Sequence, residues 1–140
     1  MVEKILGLLI DAVSQASQCT RILELGNAER IKLGLLPLKQ NNQLSQLAAL
    51  KAQDILDKNY FSHESPTYGS PFDMMRKFEV PYSYAGENLA INQSAEGAHK
   101  AWMDSPDHKR NILNPSYREM GIQLRPKGKD SYIYVVLFIG

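Results

Sequence analysis

Three side chains in this sequence have the chemistry to bind a metal ion or to move a proton. They are His63 in the segment NYFSH (59–63), Glu87 in GENLA (86–90) and His108 in SPDHKRN (105–111). Two imidazoles and one carboxylate can ligate a divalent cation, or they can act as general acids and bases. Either chemistry requires the three side chains to converge in the fold, and their spacing along the chain does not by itself predict convergence.

The local sequence predicts a setting for two of these candidates. Ser105 and Pro106 indicate a helix start, with a serine cap before a proline in the first helical position, so His108 lies in the first turn. There the helix dipole disfavours an imidazolium, whereas the negative charge of Asp107 favours it. Glu87, which follows a glycine, is predicted to lie at a sharp turn, partly buried and in need of a partner.

Familiar catalytic patterns are absent from the chain. His63 and Glu64 begin a His-Glu-x-x-His zinc pattern, but Thr67 occupies the second histidine position and Pro66 breaks the helix that this pattern needs. There is no Gly-x-Ser-x-Gly elbow, P-loop or dinucleotide-binding motif. Cys19 has no neighbouring base in the sequence and is interpreted as a packed or free thiol. No catalytic nucleophile is identified, which leaves enzymatic activity open.

Composition limits the class of protein. The chain has 140 residues, 44% hydrophobic and 22% charged, which is typical of a single globular domain. The net charge of +1, without a basic block, excludes an obvious nucleic-acid surface. A single cysteine excludes an intrachain disulfide and a cysteine-rich zinc site. The longest apolar run, Ile5 to Ile10, is too short to span a membrane. We also expect the protein to be a monomer.

The first twenty residues have two interpretations. Ile5, Leu8, Leu9 and Ala12 recur at helical spacing, which favours an amphipathic helix. The alternative is a remnant of a targeting segment, although its apolar core is shorter than the roughly 7–15 residues expected of one.

The remaining periodicity places helices first and strands last. Helical spacing predicts four further helices: one over 22–35, one capped by Asn41 or Asn42 and closed by Asn59, a short one with Pro71 in its first turn, and one capped by Ser94 that runs through Trp102. Near the C-terminus, segments 119–124 and 132–139 are rich in strand-forming residues and flank a turn at 126–129, which predicts a hairpin. This order predicts one α+β domain in which helices pack on a small antiparallel sheet.

Four ordered segments resemble the bacterial branch of the CAP superfamily, which comprises cysteine-rich secretory proteins, antigen 5 and pathogenesis-related proteins. The segments are 59–63, 86–90, 101–103 and 105–115, and the resemblance runs from about Ile22 to Gly140. It implies a CAP (or SCP) domain over 21–140, with 1–20 as a helical extension or targeting remnant. It also implies an α-β-α sandwich, with a small central antiparallel sheet flanked by helices, and a wide cleft.

The resemblance further implies that His63, Glu87 and His108 face this cleft, where some members bind zinc or another divalent cation. A second acidic position of the family is not matched, because Ser105 stands there. Three nearby carboxylates could substitute: Asp104, Asp107 and Glu64. With one ligand missing, we expect weak cation binding. The last strand also has apolar Val136 where relatives often have a polar residue.

Three functions follow as alternatives from the resemblance, which also implies an extracellular or cell-surface location. The favoured one is a non-catalytic module whose cleft holds a divalent cation and binds an unidentified small ligand or protein partner. The second is a metal-dependent hydrolase, a peptidase or cell-wall enzyme, with Glu87 as general base. The third is a structural surface-assembly protein in which the three residues form only a hydrogen-bonded network.

Overall fold

The computed structural model describes residues 1–140, which form five helices and four strands. The helices are α1 (Val2–Lys32), α2 (Asn42–Lys58), α3 (Pro71–Lys77), α4 (Ala95–Met103) and α5 (Pro106–Ile112), and the strands are β1 (Lys39–Gln40), β2 (Ala85–Asn92), β3 (Glu119–Lys127) and β4 (Ser131–Ile139). The predicted α+β class and the C-terminal hairpin are confirmed.

The four strands form one sheet in the order β1-β3-β4-β2. Strand β4 is central and pairs antiparallel with both β2 and β3, whereas the two-residue β1 pairs parallel with β3. The sheet is therefore mixed, because a short parallel strand extends the predicted antiparallel part.

Strand β4 separates two apolar cores. Tyr134 and Val136 face the core under α1, α4 and α5, whereas Val135 and Leu137 face the core under α2 and α3. Both faces of the sheet are covered, which explains why β4 is a continuous apolar run rather than an alternating one. The predicted α-β-α sandwich is confirmed. Val136 is fully buried in the core rather than in the cleft.

Side chains from the helices cap the outer edges of the sheet. On β2, the Trp102 indole N–H donates to the Leu89 carbonyl at 2.9 Å, and the Asn111 amide donates to the Glu87 carbonyl at 3.1 Å. On β3, the Ile122 N–H donates to the Ser45 hydroxyl at 3.1 Å. Capped edges cannot pair with another strand, and on β2 the caps also fix α4 and α5 beside the strand.

The helix ends follow the predicted caps with one exception. Asn41 accepts from the Leu44 N–H and Ser94 accepts from the Gly97 N–H, while Pro71 occupies the first turn of α3. Helix α5 begins at Pro106 as predicted, but the side chain of Ser105 makes no capping hydrogen bond. Ser105 therefore occupies the predicted N-cap position, but without the side-chain bond expected of a serine cap.

Two further expectations are corrected. Glu87 lies within strand β2, not at a sharp turn, because pairing with β4 keeps Ala85–Asn92 extended. The first twenty residues are helical as favoured, but they continue without a break into the predicted helix 22–35 as the single helix α1. None of the helices combines the length and hydrophobicity needed to span a membrane.

Candidate functional site

Two of the three predicted residues meet directly at the edge of the sheet. The ring nitrogen Nδ1 of His63 lies 2.7 Å from Oε1 of Glu87, so the imidazole N–H donates to the carboxylate. The side chain of Glu87 is 2% exposed, whereas that of His63 is 56% exposed. A buried carboxylate thus fixes a solvent-facing imidazole. The bond occupies Nδ1, and Nε2 is the nitrogen left for a ligand.

Buried Lys51 of α2 holds the backbone at this histidine. Its ammonium donates to the His63 carbonyl at 2.9 Å and lies 5.2 Å from the centre of the Tyr60 ring. Burial lowers the pKa of Lys51, while the negative charges of Glu87 and Asp54 act in the opposite direction. A positive charge beneath the loop therefore stabilises the two carboxylates around it.

Buried Asp54 fastens both ends of the loop that carries His63. Its carboxylate accepts hydrogen bonds from the hydroxyls of Tyr60 at 2.5 Å, Ser65 at 2.6 Å and Thr67 at 2.5 Å. Burial alone raises the pKa of Asp54, but these three donors outweigh it and the pKa lies below its usual value. The loop is thus tied to α2 at points on both sides of His63.

A second network, built from amides, positions His108. The Asn88 side chain donates to the His108 carbonyl at 3.0 Å, and the Asn111 side chain donates to Asn88 Oδ1 at 2.9 Å. Gly86 lies beneath this network, where an added Cβ would meet Asn111 Oδ1 at 3.0 Å and also strike the Tyr117 hydroxyl. A side chain at position 86 would therefore push α5 away from β2.

The two histidines differ in their affinity for protons. The hydrogen bond to Glu87 raises the pKa of His63 above 6.5 against the effect of burial. Burial lowers the pKa of His108, the charge of His63 lowers it further, and Asp107 opposes both. Between the two pKa values His63 is protonated while His108 is neutral. The charge of His63 thus acts on His108, although no hydrogen bond joins the two imidazoles.

An open pocket of about 280 Å³ lies against the His63–Glu87 pair. Its other lining residues are Glu64, Ser70, Pro71, Phe72 and Gly86.

Of the three carboxylates that could fill the unmatched acidic position, Glu64 alone lines this pocket. Asp104 is paired with Lys100 and Asp107 with Arg110 on the exposed surface. The structure therefore places Glu64 with His63 and leaves the other two outside.

The arrangement does not form a three-ligand metal site. No group of three or more His, Cys, Asp or Glu side chains is placed to hold a metal ion. The Glu87 carboxylate is buried against His63 Nδ1, which is how an outer-shell carboxylate orients a metal-binding histidine. His63, Glu87 and His108 as metal ligands thus stay a prediction, and this geometry gives Glu87 the orienting position.

Several residues that build the site were not identified from the sequence. Lys51 and Asp54 are buried, and they stand on the same side of α2 as Leu47 and Ala48. Charged residues within an apolar stripe are a usable signal, because a buried charge needs a partner. Asn88 and Asn111 give no comparable signal, since amides are common at any surface. His99 lies apart from the cleft, 4.0 Å from Glu29 of α1.

Comparisons with known proteins agree with this architecture. The Bacillus subtilis (strain 168) protein YkwD is 50% identical over 121 residues, which is 86% of this chain and 46% of that protein. An extracellular protein with an SCP domain from Bacillus anthracis superposes with a TM-score of 0.82 at 30% identity, covering 89% of this chain and 41% of that one. An outer surface protein of Borrelia burgdorferi superposes with a TM-score of 0.81 at 22% identity, covering 88% and 92%.

These similarities have different extents. The chain spans less than half the length of the curated relatives it matches. The similarity to the Borrelia burgdorferi protein shows the fold alone. Residues 23–138, which include β1–β3, all but the last residue of β4, and His63, Glu87 and His108, match the cysteine-rich secretory protein family model. The chain therefore belongs to the CAP, or cysteine-rich secretory protein, family.

Proposed function

We propose that this protein is an extracellular, non-catalytic module that binds a ligand or protein partner in the cleft through His63 and His108. The observation that carries the proposal is the half-exposed imidazole of His63, held in one orientation over an open pocket by a buried carboxylate. Orienting a side chain in this way lowers the entropy lost when a ligand binds it. The extracellular location rests on the similarity to the Bacillus anthracis protein.

The burial of Glu87 and the lack of an available nucleophile support a binding role over a hydrolytic one. A general base must reach the proton that it removes, but the carboxylate of Glu87 is buried and engaged by His63. The Ser70 hydroxyl, which lines the pocket, accepts the Asp73 N–H in a capping box. Cys19 is buried in the other core, where burial raises the pKa of its thiol to about 11. Such a thiol is a poor nucleophile at neutral pH.

We also propose that the cleft holds a divalent cation only weakly. The imidazoles of His63 and His108 would be its protein ligands, and Glu87 would orient His63 from behind. The cation would supply a positive centre for an anionic or carbonyl group of the ligand. Two protein ligands are fewer than the three or four of a typical zinc site, so we expect weak affinity.

Calorimetric titration with Zn²⁺ tests this proposal because the chain has three histidines, and the proposal assigns only His63 and His108 to the cation. We expect weak, saturable binding that is lost in His63→Ala and in His108→Ala. His99→Ala, on α4 beside Glu29, is the matched control and should retain binding. Glu87→Gln should weaken binding by about 10–100-fold rather than abolish it, as expected of an orienting carboxylate.

Three results would contradict the proposal. Glu87→Gln that abolishes binding as completely as His63→Ala would make Glu87 a direct ligand. Absence of any Zn²⁺ response in the folded wild type would favour a purely structural network. Chelator-sensitive hydrolysis of peptides or peptidoglycan that Glu87→Gln abolishes would establish the hydrolase.

A further inference from the structure

The N-terminal half of α1 presents large apolar side chains to solvent. We call residues 2–16 the arm. Its side chains Val2, Ile5, Leu6, Leu9 and Val13 are between 55% and 77% exposed. The same helix is buried further along, where it packs on the sheet. The family match begins at residue 23, so the arm lies outside the matched domain.

The apolar side of the arm faces away from its own domain. At about 100° per residue, these five apolar side chains occupy an arc of roughly 100°, and the exposed side chains of Leu8 and Ile10 flank it on either side. Asp11, Ser14 and Gln15 lie on the opposite side and line a groove against Lys129 and Tyr132 of the C-terminal hairpin. The arm thus places polar groups against the domain and apolar groups in solvent, the reverse of an ordinary surface helix.

We propose that the arm pairs with the arm of a second copy of this chain. Val2, Ile5, Leu9, Ala12 and Ala16 are spaced alternately by three and four residues. This is the spacing that lines the seam between two paired helices. A second copy supplies the same seam, so the face is complementary to itself.

The charges of the arm distinguish a protein partner from a membrane surface. Helices that lie on anionic membranes carry Lys and Arg on the polar face. The arm has one basic residue, Lys4, against the two acidic residues Glu3 and Asp11. Its net negative charge gives no attraction to anionic lipid, whereas helix pairing requires only the apolar seam.

The size of the face sets the expected strength of pairing. A fully buried Leu or Ile removes on the order of 100 Å² from water, so the two arms together bury roughly 1,000 Å². This area is at the low end of specific interfaces. We therefore expect a reversible dimer with a Kd in the range of roughly 1–100 µM. The inference does not depend on the proposed function of the cleft, and it replaces the expectation of a monomer.

Sedimentation equilibrium of the full chain, over concentrations up to about 200 µM, tests the pairing. Leu9→Glu places a charge in the seam and should raise Kd at least about tenfold, because a charge does not pack at a seam position. Ser14→Glu adds the same charge on the polar side and should leave Kd within about twofold. Circular dichroism should show that both variants keep the fold, since both positions are exposed.

The same series contains the results that would overturn the proposal. A wild type that stays monomeric at the highest concentration excludes the pairing. So does a Ser14→Glu variant that dissociates as fully as Leu9→Glu. A monomeric wild type that binds phosphatidylcholine or phosphatidylglycerol vesicles, and loses that binding in Leu9→Glu, would assign the face to a membrane instead.

Discussion

The two sides of strand β2 hold their histidines by different means. On one side the contacts are between charged groups: Glu87 pairs with His63, and the charges of Glu87 and Asp54 both act on Lys51. On the other side, Asn88 and Asn111 donate only to carbonyl and amide oxygens. One histidine is thus held by groups that titrate and the other by groups that do not.

Arg30 adds further hydrogen bonds on the side of β2 that holds His108, and none of their acceptors titrates. This fully buried guanidinium of α1 donates to the carbonyls of Leu36, Ile112, Asn114 and Tyr117. It has no carboxylate partner, and burial lowers its pKa with a further contribution from Arg118. All four acceptors are uncharged, so the end of α5 is fastened independently of pH. One domain thus holds His63 through groups that titrate and fastens the end of α5, the helix of His108, through groups that do not.

Removal of Arg30 should have the largest effect on stability. Arg30→Met leaves several carbonyls at the end of α5 without donors, each costing about 1 kcal/mol or more. We expect a loss of about 3–4 kcal/mol in the free energy of unfolding, measured by urea denaturation. Because no acceptor titrates, the loss should be the same at pH 5 and pH 7.

Arg110→Met is the matched control for Arg30. Arg110 lies on α5 itself, but it is exposed and pairs only with Asp107. Its removal should cost about 0.5 kcal/mol or less. Equal losses in the two variants, or a loss in Arg30→Met that varies with pH, would show that Arg30 does not fasten the end of α5 independently of pH.

Asp54→Asn should have the next largest effect and should depend on pH. The amide keeps one acceptor oxygen in place of a carboxylate that serves three hydroxyl donors, so we expect a loss of about 2 kcal/mol at pH 7. The pKa of Asp54 is lowered in the folded state, so its contribution is present above the ordinary value of 3.8 and is lost as the pH falls through the folded pKa. The difference between wild type and variant should therefore shrink in acid.

Asp57→Asn provides the control for this charge. Asp57 is on the same helix but is exposed and bonds only to Gln53. Hydrogen exchange should show faster exchange over 61–69 in Asp54→Asn and no change in Asp57→Asn. Uniform loss of protection throughout the domain would mean that Asp54 supports the core rather than the loop.

The sequence predicts local features of this fold better than it predicts long-range strand pairing. The positions of Pro71 and Asn41 and the C-terminal hairpin were predictable, because caps, prolines and turns act over a few residues, although the turn lies at 128–130 rather than at 126–129. Strand β2 was not, because its extended form depends on pairing with β4, about 50 residues away in the chain. Glu87 was consequently placed in a turn, although its burial and its need for a partner were anticipated.

The site residues divide in the same way. His63, Glu87 and His108 were identified through family resemblance, since their own spacing carries little information. Lys51 and Asp54 could have been identified from charge within an apolar helical stripe. The contacts of Arg30 could not, because its four acceptors lie at the end of α5 and on two loops that the sequence does not connect.

Glu87→Gln should give the smallest change in stability of these variants. It tests directly whether Glu87 controls the pKa values of the two histidines. The variant removes the carboxylate that raises the pKa of His63, so the pKa of His63 should fall. His63 then carries less positive charge at a given pH. Because that charge lowers the pKa of His108, the pKa of His108 should rise. The two histidines should move in opposite directions, which is measurable by NMR titration of the imidazole resonances.

His99 is the internal control in that titration, because the groups that shift its pKa do not include Glu87. Stability should follow the same sign. The raised folded-state pKa of His63 means that its pairing contributes below pH 6.5 and is lost as the pH rises through the folded value. The stability difference between wild type and Glu87→Gln should therefore be larger at pH 5.5 than at pH 8.5, by about 1 kcal/mol or less for a half-exposed pair. Parallel shifts of His63 and His108, or a larger difference at high pH, would show that Glu87 does not control the protonation of this cleft.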